Sequence, residues 1–171
     1  MTSLIGSAER KMTVRRIVLE DFNDAKFVFN EYFDAIAVVL RDDDLAIRNL
    51  ISDTGSGIWI AYVDGVVAGC VALRPLPGIN GAAECKRLYV RQAFRRQGIA
   101  EALTAMMERD ALTLGYRTIY LDSKDDLQAA IMLYERAGYR RCSRYNDNPQ
   151  ATLFMSKTLC SEQADSNRSL S

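Results

Sequence analysis

The chain has 171 residues, with 22 basic and 22 acidic side chains, no histidine and a hydrophobic fraction of 49%. This length fits a single domain with a substantial core. The formal net charge of zero provides no overall field for nucleic acid or a membrane surface, so any anion site has to be local. The lack of histidine excludes Ser-His and Cys-His catalytic pairs and histidine-ligated metals, and we expect no metal site.

The chain divides into a polar leader (residues 1–11), one domain (12–159) and a tail (160–171) whose polar composition predicts disorder. The N-terminal residues contain no apolar run suited to a signal sequence. No stretch approaches the roughly 20 apolar residues of a spanning helix. We therefore expect a soluble cytoplasmic protein without a membrane or nucleic-acid partner.

The N-terminal half predicts one strand, two helices and a hairpin. The strand covers Met12–Val18, and a helix begins near Asp21 with many apolar residues: Phe22, Phe27, Phe29, Tyr32, Phe33, Ile36 and Val39. These side chains fit either a core or one wall of a binding pocket. An acidic run, 41–44, predicts the N-cap of a second helix over Leu45–Ile51, or a surface that attracts a cationic amine. Asp64-Gly65 between two β-branched runs predicts a hairpin.

The C-terminal half predicts a central strand, two helices and three further strands. Glu84–Val90 forms the central strand, and apolar spacing predicts a helix from Gly98 to a stop at Gly115. A short buried strand at Arg117–Leu121 precedes a helix capped by Asp125-Asp126 and ended by Gly138. The last strands are Tyr139–Tyr145 and Thr152–Thr158, around an Asn146–Pro149 turn that we expect to help line the pocket.

The turn before the Gly98 helix indicates an anion site. A helix start has unpaired N–H groups and a positive dipole end, which a Ser, Thr, Asp or Asn cap normally satisfies. Here no such cap is present, and Arg91, Arg95 and Arg96 add positive charge before the first acid, Glu101. A bound phosphate or pyrophosphate would supply the missing negative charge. The alternative is a solvated basic turn in which Gly98 only eases entry into the helix.

The pattern Arg95-x-x-Gly98-x-Ala100, between a Leu-Tyr-Val strand end and an amphipathic helix, resembles the acyl-CoA signature of the GNAT superfamily of N-acyltransferases. The resemblance implies an α+β fold with a mixed, mostly antiparallel sheet of six to seven strands and helices on both faces. It implies that acetyl-CoA is the co-substrate. The strand Leu88, Tyr89 and Val90 would pair with its pantetheine arm, and the turn Arg95, Arg96, Gln97, Gly98, Ile99 and Ala100 would hold its pyrophosphate.

The last helix supplies a candidate general acid. Tyr134 lies on the same apolar stripe as Leu127, Ala130 and Ile131, which by itself indicates a core tyrosine. The segment Ala130–Tyr139, however, resembles the closing motif of GNAT proteins, whose tyrosine hydroxyl lies near the thioester sulfur. That resemblance assigns Tyr134 the protonation of the leaving thiolate. Many relatives also carry an asparagine near the start of this helix that contacts CoA. Here either this contact is absent, or Ser123 or Gln128 replaces it.

Acyl transfer also needs a base, because an alkyl amine with a pKa near 10.4 is mostly protonated at neutral pH. Glu84 is the first candidate and Asp122 the second, while Glu84 as a salt-bridged strand residue is the structural alternative. The backbone N–H groups of Leu88–Val90 are the expected oxyanion donors.

The preferred function is therefore direct transfer of an acetyl group from acetyl-CoA to a small primary amine. Alternatives are a protein or peptide acceptor, a non-catalytic acyl-CoA-binding module, and a ping-pong enzyme with Cys85 as nucleophile. The four cysteines, Cys70, Cys85, Cys142 and Cys160, lack metal or redox spacing and are expected to be free thiols. A homodimer is also predicted, from family habit and the apolar surface of the Phe22–Val39 region.

Overall fold

The computed structural model describes residues 9–160, so most of the predicted leader and tail lies outside the described residues. Seven strands form one sheet in the order β1-β2-β3-β4-β5-β7-β6. The strands are β1 (Met12–Arg16), β2 (Gly57–Val63), β3 (Val66–Pro75), β4 (Ala82–Val90), β5 (Thr118–Ser123), β6 (Arg140–Arg141) and β7 (Leu153–Thr158). The α-helices are α1 (Phe22–Ile36), α2 (Asp44–Ser52), α3 (Ile99–Thr113) and α4 (Gln128–Arg136). This mixed α+β architecture confirms the predicted fold class.

The predicted hairpin is the link between β2 and β3. Asp64 and Gly65 both have positive φ, 50° and 80°, which is the backbone of the tight turn that Asp-Gly favours. Seven of the ten residues of β3 and all of β2 are buried. The pair is therefore covered by helices on both faces of the sheet.

Each sheet face has its own core. One core packs α3 and α4 against Trp59, Leu73 and Leu121, and the other packs α1 and α2 against Ile58 and Ile60. Of the α1 aromatics, Phe22, Phe29 and Phe33 are buried in the second core, whereas Phe27 and Val39 are exposed. Most of the apolar surface on which the homodimer prediction relied is thus packed against the protein's own core. The homodimer stays a prediction.

The sheet opens between β4 and β5. These neighbours are parallel, but their pairing covers only Ala82–Glu84 against Thr118–Tyr120, while β4 continues to Val90 and β5 to Ser123. The register between β3 and β4 shifts within the same stretch, and Arg87 adopts a positive φ of 61° there. A β-bulge bends its strand, so this bulge accompanies the separation of β4 from β5.

Two local predictions are wrong. Asp125 and Asp126 do not cap α4, because Leu127 is its N-cap and no side chain bonds the first turn. The predicted strand over residues 139–145 reduces to Arg140 and Arg141, since Arg144, Tyr145 and Asn146 instead fold into a loop against the sheet. None of the helices formed by residues 9–160 combines the length and apolar composition needed to cross a bilayer.

Candidate active site

The start of α3 has the properties of an anion site. Gly98 is the N-cap, has φ +75° and makes no side-chain cap, so the N–H groups of Ile99, Ala100 and Glu101 have no acceptor within the helix. A Cβ placed on Gly98 would meet no atom within 4 Å, so the space beside Gly98 is open. The Ile99 side chain is 1% exposed and anchors this helix end in the core.

The three arginines of the turn are not equivalent. Arg91 pairs with Glu31 of α1 at 2.8 Å, so the expectation that all three lack an acidic partner in the chain is wrong for Arg91. The reason is tertiary, since α1 packs beside the end of β4. Arg95 donates from Nε to the Val90 carbonyl at 3.0 Å, and Arg96 lies exposed with φ +63°. Within residues 9–160 neither Arg95 nor Arg96 forms a salt bridge, so both can complement an anion at Gly98.

The other predicted site residues surround the opening between β4 and β5. Leu88, Tyr89 and Val90 lie beyond the last pair with β5, so the edge of β4 that faces β5 has no strand partner there. Ser123 is the last residue of β5. Gln97 and Ala100 lie at the start of α3, which follows β4 after a short 3-10 turn at Gln92–Phe94. An open strand edge thus leads to an uncapped helix start.

Tyr134 lies in α4, which packs on the sheet face opposite α1. Its side chain is 8% exposed and packs edge-on against Tyr139 with ring centroids 5.7 Å apart. Burial raises the pKa of Tyr134 well above its ordinary value, and the nearby Cys85, Tyr32 and Asp122 raise it further. The hydroxyl is therefore fully protonated at neutral pH, as a proton donor has to be.

Glu84 is held in a network of ion pairs and hydrogen bonds. Its Oε1 accepts two hydrogen bonds from Arg74, at 2.9 and 2.7 Å, and its Oε2 accepts one from Asn146 at 3.1 Å. Lys86 lies 3.5 Å from the same carboxylate, which is 2% exposed. Burial alone would raise the pKa of Glu84, but Lys86 and Arg74 outweigh it and hold the pKa below its ordinary value.

Asp122 belongs to the same network. Lys86 lies 3.1 Å from its carboxylate, and the side-chain amides of Asn146 and Asn148 donate to Oδ2 at 2.6 and 3.2 Å. These partners lower the pKa of Asp122 although burial acts in the opposite direction. The Tyr145 hydroxyl is buried beside Glu84 without a hydrogen bond of normal geometry to any described residue. The network therefore ties the loop between β6 and β7 to β4 and β5.

The sequence interpretation did not single out Lys86 and Arg87. Arg87 donates to both oxygens of Asp42, at 2.8 and 3.1 Å, and so connects β4 with the segment between α1 and α2. The acidic run fulfils its capping role through Asp43, which accepts from the Ala46 N–H. A signal for the bulge was present: inward apolar residues occupy odd positions at Ala83 and Cys85 but even positions at Leu88 and Val90.

The environment of Cys85 does not suit a nucleophile. Cys85 is buried and burial raises the pKa of its thiol to about 12, so hardly any thiolate exists at neutral pH. All four cysteines are free. Among residues 9–160 no group of three or more acidic or cysteine side chains is arranged to hold a metal ion.

Comparison with known proteins identifies the family. The model of the acetyltransferase (GNAT) family matches residues 15–139. The chain belongs to the GNAT acetyltransferase family. An uncharacterized N-acetyltransferase from Schizosaccharomyces pombe is 32% identical over 136 residues, which cover 76% of this chain and 83% of that protein. N-acetylaspartate synthetase from Danio rerio is 32% identical over 124 residues, 68% of this chain and 44% of that protein.

The fold of this GNAT chain is also similar to solved structures. A Salmonella typhimurium protein solved with its cofactor acetyl-CoA superposes with a TM-score of 0.70 at 19% identity, covering 87% of this chain and 94% of that one. Other curated relatives are longer, and the matched part of this chain spans about half of their length. The open β4 edge and the uncapped α3 start fit an elongated ligand that carries a pyrophosphate, as acetyl-CoA does.

Proposed function

We propose that this GNAT protein transfers an acetyl group from acetyl-CoA to the primary amine of a small molecule. The observation that carries the proposal is the continuity of the unpaired β4 edge with the uncapped start of α3. The unpaired β4 edge can form hydrogen bonds with the amides of a pantetheine arm, and the uncapped start of α3 can bind phosphates. Arg95, Arg96, Gln97, Gly98, Ile99 and Ala100 would hold the pyrophosphate, with Ser123 across the opening.

Acetyl-CoA supplies the activated acetyl group as a thioester. Residues of this chain would stabilise the charges that develop during the transfer and move the protons. Backbone N–H groups of Leu88–Val90 would stabilise the negative charge on the carbonyl oxygen. Tyr134 would donate its proton to the departing sulfur. Glu84 is the proposed final acceptor of the amine proton, and its paired surroundings keep it ionised at neutral pH.

A small acceptor is proposed for two reasons. The acceptor side is bordered by side chains that already satisfy one another, Glu84, Lys86, Asp122 and Asn146. A compact acceptor would leave these ion pairs and hydrogen bonds in place. In addition, the name of the Danio rerio relative, N-acetylaspartate synthetase, specifies a small amino-acid product.

The test measures thiol release from acetyl-CoA over a panel of small amines, amino acids and peptides, with the acetylated product identified by mass spectrometry. We expect turnover with one class of small amine and CoA binding by calorimetry. Cys85→Ala should retain the turnover, since the transfer is direct, and its loss with intact folding would favour the ping-pong route. Binding of CoA without turnover on any amine would identify a non-catalytic module instead.

A further inference from the structure

Lys86 and Arg87 are consecutive residues of β4, yet their side chains lie on the same face of the sheet. Lys86 pairs with Asp122 of β5, and Arg87 stacks over the rings of Tyr32 and Phe33 of α1. In a regular strand, neighbouring side chains point to opposite faces. The bulge at Arg87 removes this alternation, because two residues of β4 oppose one residue of β3.

The conformation of Arg87 has a cost. Its φ of 61° lies in the left-handed region, which is unfavourable for a residue with a side chain. Strain of this kind persists only where surrounding contacts hold it, and it concentrates at functional sites. The contacts that hold Arg87 are therefore candidates for a functional role.

The main contact is the ion pair with Asp42. Arg87 donates from Nε and Nη2 to the two carboxylate oxygens, and the two side chains are only 16% and 18% exposed. Asp42 belongs to the connection between the first two helices, residues 37–43, which we call the α1–α2 segment. Val39 and Leu40 of this segment are 80% and 86% exposed, so few packing contacts hold these two residues.

The α1–α2 segment borders the acceptor side of the opening. Arg87 lies over Tyr32, with 5.9 Å between its guanidinium carbon and the ring centroid, and Tyr32 lies close enough to Tyr134 and Asp122 to interact with both electrostatically. Arg87 thus connects the α1–α2 segment, through Asp42, with Tyr32 and the neighbourhood of Tyr134.

We propose that Arg87 is a positioning residue whose ion pair with Asp42 fixes the α1–α2 segment as a wall of the acceptor site, and thereby sets which amines fit. The proposal rests on the proposed acetyltransferase function. Release of Asp42 widens the acceptor side. The CoA side, which is formed by the turn before α3, is unaffected.

The test uses Asp42→Asn, Arg87→Met and the charge reversal Arg87→Asp with Asp42→Arg. Asp at position 87 tolerates the left-handed backbone better than most residues. The matched control is Asp34→Asn, which breaks the exposed pair of Asp34 with Arg41 in the same region. Each variant is measured with acetyl-CoA and with the smallest and the bulkiest amines that the wild type acetylates. Amide hydrogen exchange of residues 37–43 is measured in parallel.

For Asp42→Asn we expect about a tenfold higher KM for the small amine, equivalent to about 1.4 kcal/mol, with an unchanged KM for acetyl-CoA. The preference for bulky over small amines should rise, and exchange in residues 37–43 should accelerate. The charge reversal should restore part of the wild-type amine preference and part of the slow exchange in residues 37–43. Asp34→Asn should match the wild type. Equal losses for all amines, or unchanged exchange, would overturn the proposal. A wild type without any acceptor contradicts the proposed function instead, and the exchange data then decide alone whether the pair holds the segment.

Discussion

The two sides of the opening are built in different ways. The proposed CoA side consists of consecutive residues, from Arg95 to Ala100, with N–H groups and an arginine that have no partner among the described residues. The acceptor side combines residues from distant parts of the chain whose charges are paired with one another, including Glu84, Lys86 and Asp122. The first arrangement can accept an external anion, whereas the charges of the second are already paired.

This difference has an energetic reason. Backbone N–H groups at an exposed helix start bond to water when no anion is bound, so leaving them without a protein partner costs little stability. Buried carboxylates without partners would be expensive, and the fold therefore supplies cations and amides to each. Substitutions should accordingly affect ligand binding on one side, and stability or proton transfer on the other.

The largest effect is expected at Tyr134, where the two sides meet. Tyr134→Phe removes only the hydroxyl, so turnover should fall by about 10² to 10⁴, the usual contribution of a positioned acid or base. The ring contact with Tyr139 remains, and thermal stability should change little. Tyr139→Phe is the matched control, because the Tyr139 hydroxyl is also buried but lies near Glu108. Normal turnover in Tyr134→Phe, with chemistry rate-limiting, would remove Tyr134 from the mechanism.

Removal of a charge from the acceptor side should cost stability. Asp122→Ala leaves Lys86 with Glu84 alone, and we expect about 3 kcal/mol lower stability at pH 7, the lower end for breaking a buried pair. The folded pKa of Asp122 is lowered, so its contribution is complete above the unfolded value near 4 and disappears as the pH falls below it. Urea unfolding at pH 7 and pH 3 should show the difference between wild type and variant shrinking in acid. A difference that is equal at both pH values would assign the loss to packing.

A negative charge on the CoA side should weaken binding without unfolding the protein. Gly98→Asp places a carboxylate in front of the α3 N–H groups, and we expect affinity for CoA to fall by about 10-fold or more, since charges at a helix terminus contribute up to about 2 kcal/mol. Gly115→Asp is the matched control, because Gly115 also has a positive φ and open space but lies at the other end of α3. Equal affinities by calorimetry for folded Gly98→Asp and wild type would place the site elsewhere.

The smallest effect is expected from Glu84→Gln, and its pH dependence is the informative quantity. We expect a roughly tenfold loss in kcat/KM, which is modest for an acid or base. Below the pKa of the amine, Glu84 has to accept its proton, whereas above that pKa the amine arrives neutral. The loss should therefore diminish as the pH rises. Asp122→Asn shares the partners Lys86 and Asn146 and should give a loss that does not vary with pH over the same range. A flat profile for Glu84→Gln as well would assign Glu84 to the structure of the loop between β6 and β7.

The sequence by itself determined the local features. The Asp64-Gly65 hairpin, the missing cap at Gly98 and the Gly115 stop each depend on a few consecutive residues, and the structure confirms all three. The family follows from the same kind of local pattern around Gly98 and Tyr134. The change of inward apolar residues from odd to even positions between Cys85 and Leu88 also indicated the bulge. The pattern alone did not show that Arg87 would adopt a positive φ and pair with Asp42.

Only the tertiary structure decided how charges pair. Arg91 with Glu31, Arg87 with Asp42, and Lys86 with Asp122 join residues that are 60, 45 and 36 positions apart. Such pairs depend on which faces the sheet and helices bring together, and any of the 22 acids is an equally suitable partner at the level of sequence. Short-range backbone geometry is encoded locally, whereas electrostatic partners are selected by packing, because burial forces each charge to find a partner within a few ångströms.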